Sequence, residues 1–333
     1  MTTGLCAGVD VGGTKIQAVV TDGGGAVLGR ARRATPSSGG ATEVAKDVSI
    51  AVSEAATAAG VRVAELQGVG VGAPGSVDAD VGVVVKVPNI EGWDGPFALG
   101  PVLSERLGVR VVVGNDVNAA VEAERRFGAG RGTQSFLGVF WGTGVGGGLV
   151  LDGRLVHGRG SAGEIGHVCV KPGGRRCNCG LRGCVEAYAG RGALEARARR
   201  EARKRKTVLF DLQRERGRDS LTSGVWLRAL EARDRVAREL LDEAVAALGI
   251  AIGSAVTLLD VELVVLGGGL GERLGPVWLR RIEKAARPHI FFDEPPAFAL
   301  AELGDLAGAI GASLLASGEA ATAPLAGASR RAV

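Results

Sequence analysis

The same local design is spelled twice in this chain, 130 residues apart. Gly8-Val9-Asp10-Val11-Gly12-Gly13-Thr14-Lys15-Ile16-Gln17-Ala18-Val19-Val20 reads as an apolar strand, a glycine turn and a second strand, with the next turn from Asp22 to Gly25. The stretch from Gly138 to Gly153 repeats it, setting Gly8 on Gly138, Gly12 on Gly142 and Asp22 on Asp152. Recurrence of such a unit predicts two homologous α/β domains facing each other across a cleft, each offering an anion-binding loop of backbone N–H groups. The copies differ where chemistry differs. Thr14 and Lys15 add a hydroxyl and a charge to the first loop, and Asp10 can hold a hydrated Mg²⁺ there; the second copy has Phe140 in place of that carboxylate.

The length of 333 residues suits about two domains, each with its own core. Hydrophobic residues make up 46% of the chain but aromatic ones only 4%, so Val, Leu, Ala and Ile must build that core. Between the two hairpins, a helical stretch is expected from about Thr42 to Ala59, followed by a buried strand from Leu66 that ends at Gly72-Ala73-Pro74-Gly75. Pro88-Asn89 reads as a loop, and Trp93-Asp94-Gly95-Pro96 as the opening of a helix. A continuous Val strand then ends at Gly114, with Asn115 and Asp116 at its tip and a helix beginning at Val117 or Asn118. Ligands of parallel α/β sheets sit at such carboxyl ends. Asn115, Asp116 and Asn118 together also exceed what one helix cap needs. Leu263 to Gly269 is a further strand running into glycines, and Asp305 to Ser317 a closely packed helix; the tail from Gly318 is expected to be mobile.

Glu164-Ile165-Gly166-His167 is followed by Cys177-Asn178-Cys179-Gly180-Leu181-Arg182-Gly183-Cys184-Val185-Glu186. Three thiolates and an imidazole at this spacing match a tetrahedral Zn²⁺ in a closed structural site, which is favoured here over a disulfide or three free thiols in a turn. A metal shared by His167, Cys177, Cys179 and Cys184 would hold Glu164 and Glu186 on one knot. Two carboxylates and an imidazole in one place suit a polyhydroxylated ligand, because vicinal hydroxyls donate to acceptor-only oxygens. The competing reading has both glutamates capping local backbone or facing solvent.

The net charge of +4 is mild, and much of the excess lies between Arg197 and Arg218, where the run from Arg197 to Lys206 is strongly basic. No aromatic residues interleave that run for base stacking and Glu195 and Glu201 lie among its charges, so a solvated helix face is expected rather than a nucleic-acid arm. Ala244 to Leu259, interrupted by Gly249, Gly253 and Ser254, falls short of a membrane span and is expected to be a buried helix. With no targeting segment visible ahead of Leu5, a cytoplasmic protein is expected.

Taken together, Asp10-Val11-Gly12-Gly13-Thr14-Lys15, Gly72-Ala73-Pro74-Gly75, Asn115-Asp116-Val117-Asn118-Ala119-Ala120, Gly142-Thr143-Gly144-Val145-Gly146, Glu164-Ile165-Gly166-His167 and the Cys177, Cys179, Cys184, Glu186 pattern resemble the ROK family of repressors and kinases. Within it the chain is similar to the ATP-dependent glucokinases. The resemblance implies an α/β, actin-like (ribonuclease-H-like) ATPase fold with two lobes and a central cleft. It divides the chain into residues 1–116 plus about 304–320, and residues 117–303 carrying the zinc-binding loop 164–186. It further implies Asp116 as general base and sugar contacts from Gly75, Asn89, Asn115, Asp116, Glu164, His167 and Glu186. The nucleotide would meet Asp10, Gly12, Gly13, Thr14, Lys15, Thr143, Gly144 and Gly268, with structural Zn²⁺ and with Mg²⁺ accompanying ATP. The expected partners are a sugar, ATP and a second copy of the chain, with no membrane and no nucleic acid. Glucose leads the substrates; mannose, fructose, N-acetylmannosamine and N-acetylglucosamine, polyphosphate as donor, and a sugar-sensing regulator without turnover are the alternatives.

Overall fold

The computed structural model describes residues 4–87, 90–217 and 219–318. Asn89 and the tail from residue 319 onward, for which a sugar contact and mobility were expected, lie outside the described residues. The chain forms two compact units, Met1–Glu122 with Gly308–Val333, and Ala123–Ala307.

In the first unit, strands β1 (Cys6–Val11), β2 (Lys15–Thr21), β3 (Val27–Ala34), β4 (Gly68–Ala73) and β7 (Val111–Asn115) form a sheet of order β3-β2-β1-β4-β7, while β5 (Ser76–Asp78) and β6 (Val83–Lys86) make a separate ribbon. β1 to β3 run antiparallel, and β4 and β7 run parallel to β1. Every residue of β4 is buried, as a parallel strand covered on both faces requires. The helix Gly40–Ala58 buries Val44, Val48, Val52 and Ala55, spaced three and four apart, along one of its faces. The helix Ala307–Ser317 lies so close to β1 that a Cβ on Gly8 would stand 1.9 Å from Ala309 O. Only glycine permits that approach, and Thr21 Oγ1 donating to Ser313 Oγ at 2.8 Å adds a buried polar tie.

The helix expected to open at Trp93 begins instead at Leu99 and ends at Leu107. Pro96 disfavours helical geometry before it, and Phe97 exchanges backbone hydrogen bonds with Val84 at 2.9 and 3.0 Å, which draws the segment into an extended bridge. The helix after β7 begins at Asp116, slightly earlier than expected, because Asn115 Oδ1 accepts from Asn118 N at 3.0 Å and so caps the first turn.

The second unit repeats the strand order. Strands β8 (Phe136–Trp141), β9 (Val145–Leu151), β10 (Arg154–Leu155), β11 (Leu263–Gly267) and β12 (Ala297–Leu300) are arranged β10-β9-β8-β11-β12. β9 is antiparallel to β8 and β11 parallel to it. Val139, Trp141, Val264 and Leu266 meet residues of the helices Arg235–Leu259 and Gly271–Ala286 in one core. Helix 235–259 starts at Asp234, whose carboxylate accepts from Ala237 N at 2.8 Å, a cap worth ~1 kcal/mol. Among the described residues it is the one helix long and apolar enough to cross a membrane, but 61% of its apolar window is buried inside the protein.

The two hairpins differ in one respect that a constant offset hides. Val11 pairs with Ile16, whereas Trp141 pairs with Val145, so the second turn is one residue shorter and the strand beyond it is shifted by one. Asp22 and Asp152 therefore do not correspond in pairing: Thr21 partners Val27 after the first hairpin, and Leu151 partners Arg154 after the second. The basic run forms the outer face of helix Arg191–Ala202 and the turn after it. Leu194 and Ala198 of that helix are buried, while Arg199 pairs with Glu195 at 2.6 Å and Arg205 with Glu201 at 3.1 Å.

Candidate active site and metal centre

In the first unit the carboxyl ends of three neighbouring parallel strands carry the polar residues. Asp10 pairs with Gly72, and Gly72 with Gly114, so Asp10 and the tip of β7 lie two strands apart, about 10 Å across the sheet. Asn115 Nδ2 donates to Gly75 O at 3.3 Å, which fastens the tip of β7 to the turn after β4. Gly75 itself has a φ of 81°. Asp116 follows as the first helical residue and Val117 N donates to its Oδ1 at 2.9 Å. Because Asn115 takes the capping bond, a cap alone does not account for Asp116. Beside them, the first glycine turn is closed by Gly12 N donating to Lys15 O at 2.9 Å. Thr35 steadies it, with Oγ1 donating to Gly12 O at 2.6 Å and N donating to Thr14 O at 3.3 Å, and Gly13 and Thr14 are exposed. The first turn of helix 307–317 borders Asp10: a Cβ on Gly308 would lie 2.9 Å from its carboxyl carbon.

In the second unit the cysteine knot and the second glycine turn form one assembly, which spacing along the chain did not reveal. Ligand atoms of His167, Cys177, Cys179 and Cys184 all lie within 4.8 Å of one another. Cys179 Sγ and Cys184 Sγ are 3.7 Å apart, and Cys177 Sγ and His167 Nδ1 are 3.8 Å apart. All five cysteines are free. A disulfide would need about 2.05 Å, whereas two thiolates on one tetrahedral Zn²⁺ at about 2.3 Å stand about 3.8 Å apart. The donors therefore form a Cys/His cluster whose spacing is compatible with zinc. Burial pushes the Cys184 thiol up to about 12, helped by its hydrogen bond with Cys179, and burial also raises Cys177; Cys179, near the backbone N–H of Leu181, is lowered. A cation among these sulfurs would favour the thiolates that their mutual proximity disfavours.

The knot is held from behind. Arg175 forms a two-pronged ion pair with Glu243 at 2.6 and 2.7 Å and stacks over Tyr188, 4.4 Å from the ring centroid. In front, the turn Ile165–His167 presses on β9, where a Cβ on Gly166 would come within 1.9 Å of Val145 O. Glu186 Oε2 accepts from Val145 N at 3.0 Å, and its Oε1 lies 4.0 Å from Cys177 Sγ. Glu186 thus touches both the knot and the base of the turn Gly142-Thr143-Gly144. Glu164 is exposed and makes no side-chain capping bond, so of the competing possibilities it faces solvent rather than capping its own turn. Gly268, with a φ of 84°, stacks its backbone on Trp141, and Leu270 N donates to Trp141 O at 2.9 Å. Thr143, Gly144 and Gly268 therefore gather at the carboxyl ends of β8 and β11.

Arg191 was not singled out from the sequence. Its Nη2 donates to Thr143 Oγ1 at 2.9 Å and its Nη1 to Ser223 Oγ at 3.3 Å, while Arg191 N and Gly192 N donate to Gly142 O and Thr143 O, each at 3.2 Å. In the chain it is one arginine among many in a basic stretch, and its helix begins too far from the second hairpin for spacing to connect them.

Residues 6–319 match the model of the ROK family. A glucokinase of Halalkalibacterium halodurans is 34% identical over 313 residues, covering 92% of this chain and 93% of that protein. A ROK family glucokinase from Streptomyces griseus, solved in complex with glucose and AMPPNP, is 34% identical with a TM-score of 0.81, covering 94% of this chain and 99% of that one. A ROK hexokinase from Thermus thermophilus is 36% identical with a TM-score of 0.75, covering 95% and 98%. The paired mixed sheets and these neighbours identify the architecture as α/β of the actin-like ATPase type. Matched over nearly its whole length by the family model and by full-length relatives, this chain belongs to the ROK family.

Proposed function

We propose that this chain is an ATP-dependent sugar kinase that transfers the γ-phosphoryl group of MgATP to the 6-hydroxyl of glucose, with Asp116 as general base. The observation that carries this reading is the full-length likeness to a glucokinase solved with glucose and AMPPNP. The local geometry supports it: Asn115, whose side chain both caps the helix and bonds to Gly75, presents Asp116 at a strand tip, where ligands of such sheets sit.

Phosphoryl transfer passes through a loose transition state that asks little of the nucleophile's activator, so holding the hydroxyl in line and neutralising phosphate charge do most of the catalysis. Asp116 accepts a hydrogen bond from the sugar hydroxyl and takes its proton late, for which an ordinary carboxylate suffices. Gly75, Asn89, Asn115, Glu164, His167 and Glu186 are the proposed sugar contacts. Gly12, Gly13, Thr14 and Lys15 receive phosphate oxygens, as do Thr143 and Gly144, and Gly268 brings bare backbone to the adenosine. Asp10 would hold Mg²⁺ through water; that ion supplies charge neutralisation on the phosphates. His167, Cys177, Cys179 and Cys184 would hold Zn²⁺, which would supply a rigid cross-link rather than a Lewis acid. His167 turns Nδ1 toward the sulfurs, which leaves the other ring nitrogen to meet a sugar hydroxyl.

The likeness to a Thermus hexokinase favours, as the second reading, a kinase that accepts several hexoses. One panel decides between them: kcat/KM for glucose, mannose, fructose and N-acetylhexosamines, each with MgATP and with polyphosphate. The glucose reading expects glucose with ATP to exceed every other pair by tenfold or more. Equal efficiencies across hexoses would establish the broader kinase, and absence of turnover with all of them would overturn both.

A further inference from the structure

The second glycine turn has no basic residue of its own: Gly142, Thr143 and Gly144 lead straight into Val145, which pairs with Trp141 as Ile16 pairs with Val11, so nothing stands where the first turn has Lys15. We propose that Arg191 supplies the missing charge, contacting the phosphate chain of a nucleotide bound at the Gly142-Thr143-Gly144 turn. The inference rests on the kinase reading above and adds to it a nucleotide contact from a helix that the hairpin motif does not include.

The guanidinium is half-buried, and its hydrogen bonds go to two neutral hydroxyls, Thr143 Oγ1 and Ser223 Oγ. Among the described residues it makes no ion pair. Glu195, one turn further along the helix, directs its carboxylate to Arg199 at 2.6 Å and to Leu221 N at 2.8 Å. A cation removed from water without a counter-charge is costly, and burial indeed lowers the affinity of Arg191 for its proton, with Glu195 offsetting part of this from a distance. Attachment of the helix to the turn does not require that cost, since the backbone bonds from Arg191 N to Gly142 O and from Gly192 N to Thr143 O already provide it. Two neutral acceptors leave part of a five-donor fork for a ligand, and a planar fork matches phosphate oxygens in a way that a point charge does not. Its position explains how a turn too short to carry a lysine can still hold a polyanion.

The test compares binding of ADP and of adenosine, with Mg²⁺ present, to the wild-type chain, R191A, R191K and R191Q by calorimetry, with thermal unfolding of each. R191A and R191Q are expected to weaken ADP by about tenfold or more while adenosine changes less than twofold, and R191K to recover part of the loss. In steady state the KM for ATP rises and that for glucose stays within twofold. Should R191A fail to fold, the contrast between R191K and R191Q carries the same question. Equal weakening of ADP and adenosine would reduce Arg191 to a structural staple, and unchanged ADP affinity would overturn the inference while leaving the kinase reading intact. A wild-type protein that binds no ADP would overturn both.

Discussion

The two glycine turns stand at the ends of sheets with one strand order, yet they offer a ligand different groups. In the first, closure from Gly12 N to Lys15 O leaves room for Thr14 and Lys15, and Asp10 stands one residue before the strand's end. In the second, Gly142 N closes onto Gly144 O one residue sooner, Phe140 replaces the acid, and Thr143 is engaged by Arg191 from a neighbouring helix. The sheet fixes where a turn sits; turn length and the elements packed behind it fix what it can bind. The two sheets therefore share a platform whose turns differ in chemistry.

If catalysis belongs to the first unit's strand tips, the largest effect comes from Asp116→Ala. It should lower kcat by ~10²- to 10⁴-fold while the Kd for glucose stays within about tenfold, ~1.4 kcal/mol. Retained turnover would remove Asp116 from the role of base. Next comes the pair that distinguishes the two hairpins directly. Asp10→Asn should reduce kcat/KM for MgATP by tenfold or more and raise the Mg²⁺ needed, whereas Phe140→Leu, a change between apolar side chains, should cost about 1.5 kcal/mol or less in stability and leave kinetics nearly unchanged. Equal kinetic losses from the two would erase the proposed division.

The cysteine knot sharpens the comparison from the other side, since the first unit has nothing like it among the described residues. Cys179→Ser should abolish the bound metal, read by elemental analysis, and weaken glucose by about tenfold, ~1.4 kcal/mol. A metal-free variant with full glucose affinity would separate the knot from sugar binding. The smallest effect concerns the turns themselves. A Cβ on Gly144 would stand 2.2 Å from Glu186 Oε2 and push that carboxylate off its bond to Val145 N, but one on Gly12 comes no nearer than 3.2 Å from Lys15 O. Urea unfolding should therefore show Gly144→Ala losing ~1–3 kcal/mol and Gly12→Ala distinctly less; similar losses would mean that the turns are equally tolerant.

Local pattern carried much of this into view. Apolar strands ending in glycine, the Val run before Asn115, and the spacing that draws three cysteines and His167 together are all short-range signals. What escaped depended on the third dimension. The one-residue difference between the hairpins lies in strand pairing, which a constant offset in the sequence conceals. The helix expected at Trp93 lost to the Phe97–Val84 bridge, a contact between segments that propensity does not register. Glu186 was tied to the knot by its neighbour Cys184, but its bond to Val145 N joins segments 41 residues apart and makes the metal site and the glycine turn continuous. Arg191 was hidden among many basic residues, and only the distance to Thr143 sets it apart.

Direct identification of the product tests the central claim most plainly. With equimolar glucose and MgATP and catalytic enzyme, phosphorus NMR should show glucose 6-phosphate and ADP forming in equal amounts, with no ADP when glucose is left out. Release of inorganic phosphate in place of the sugar ester, or no change in the ATP signals under conditions where the protein remains folded, would contradict the account.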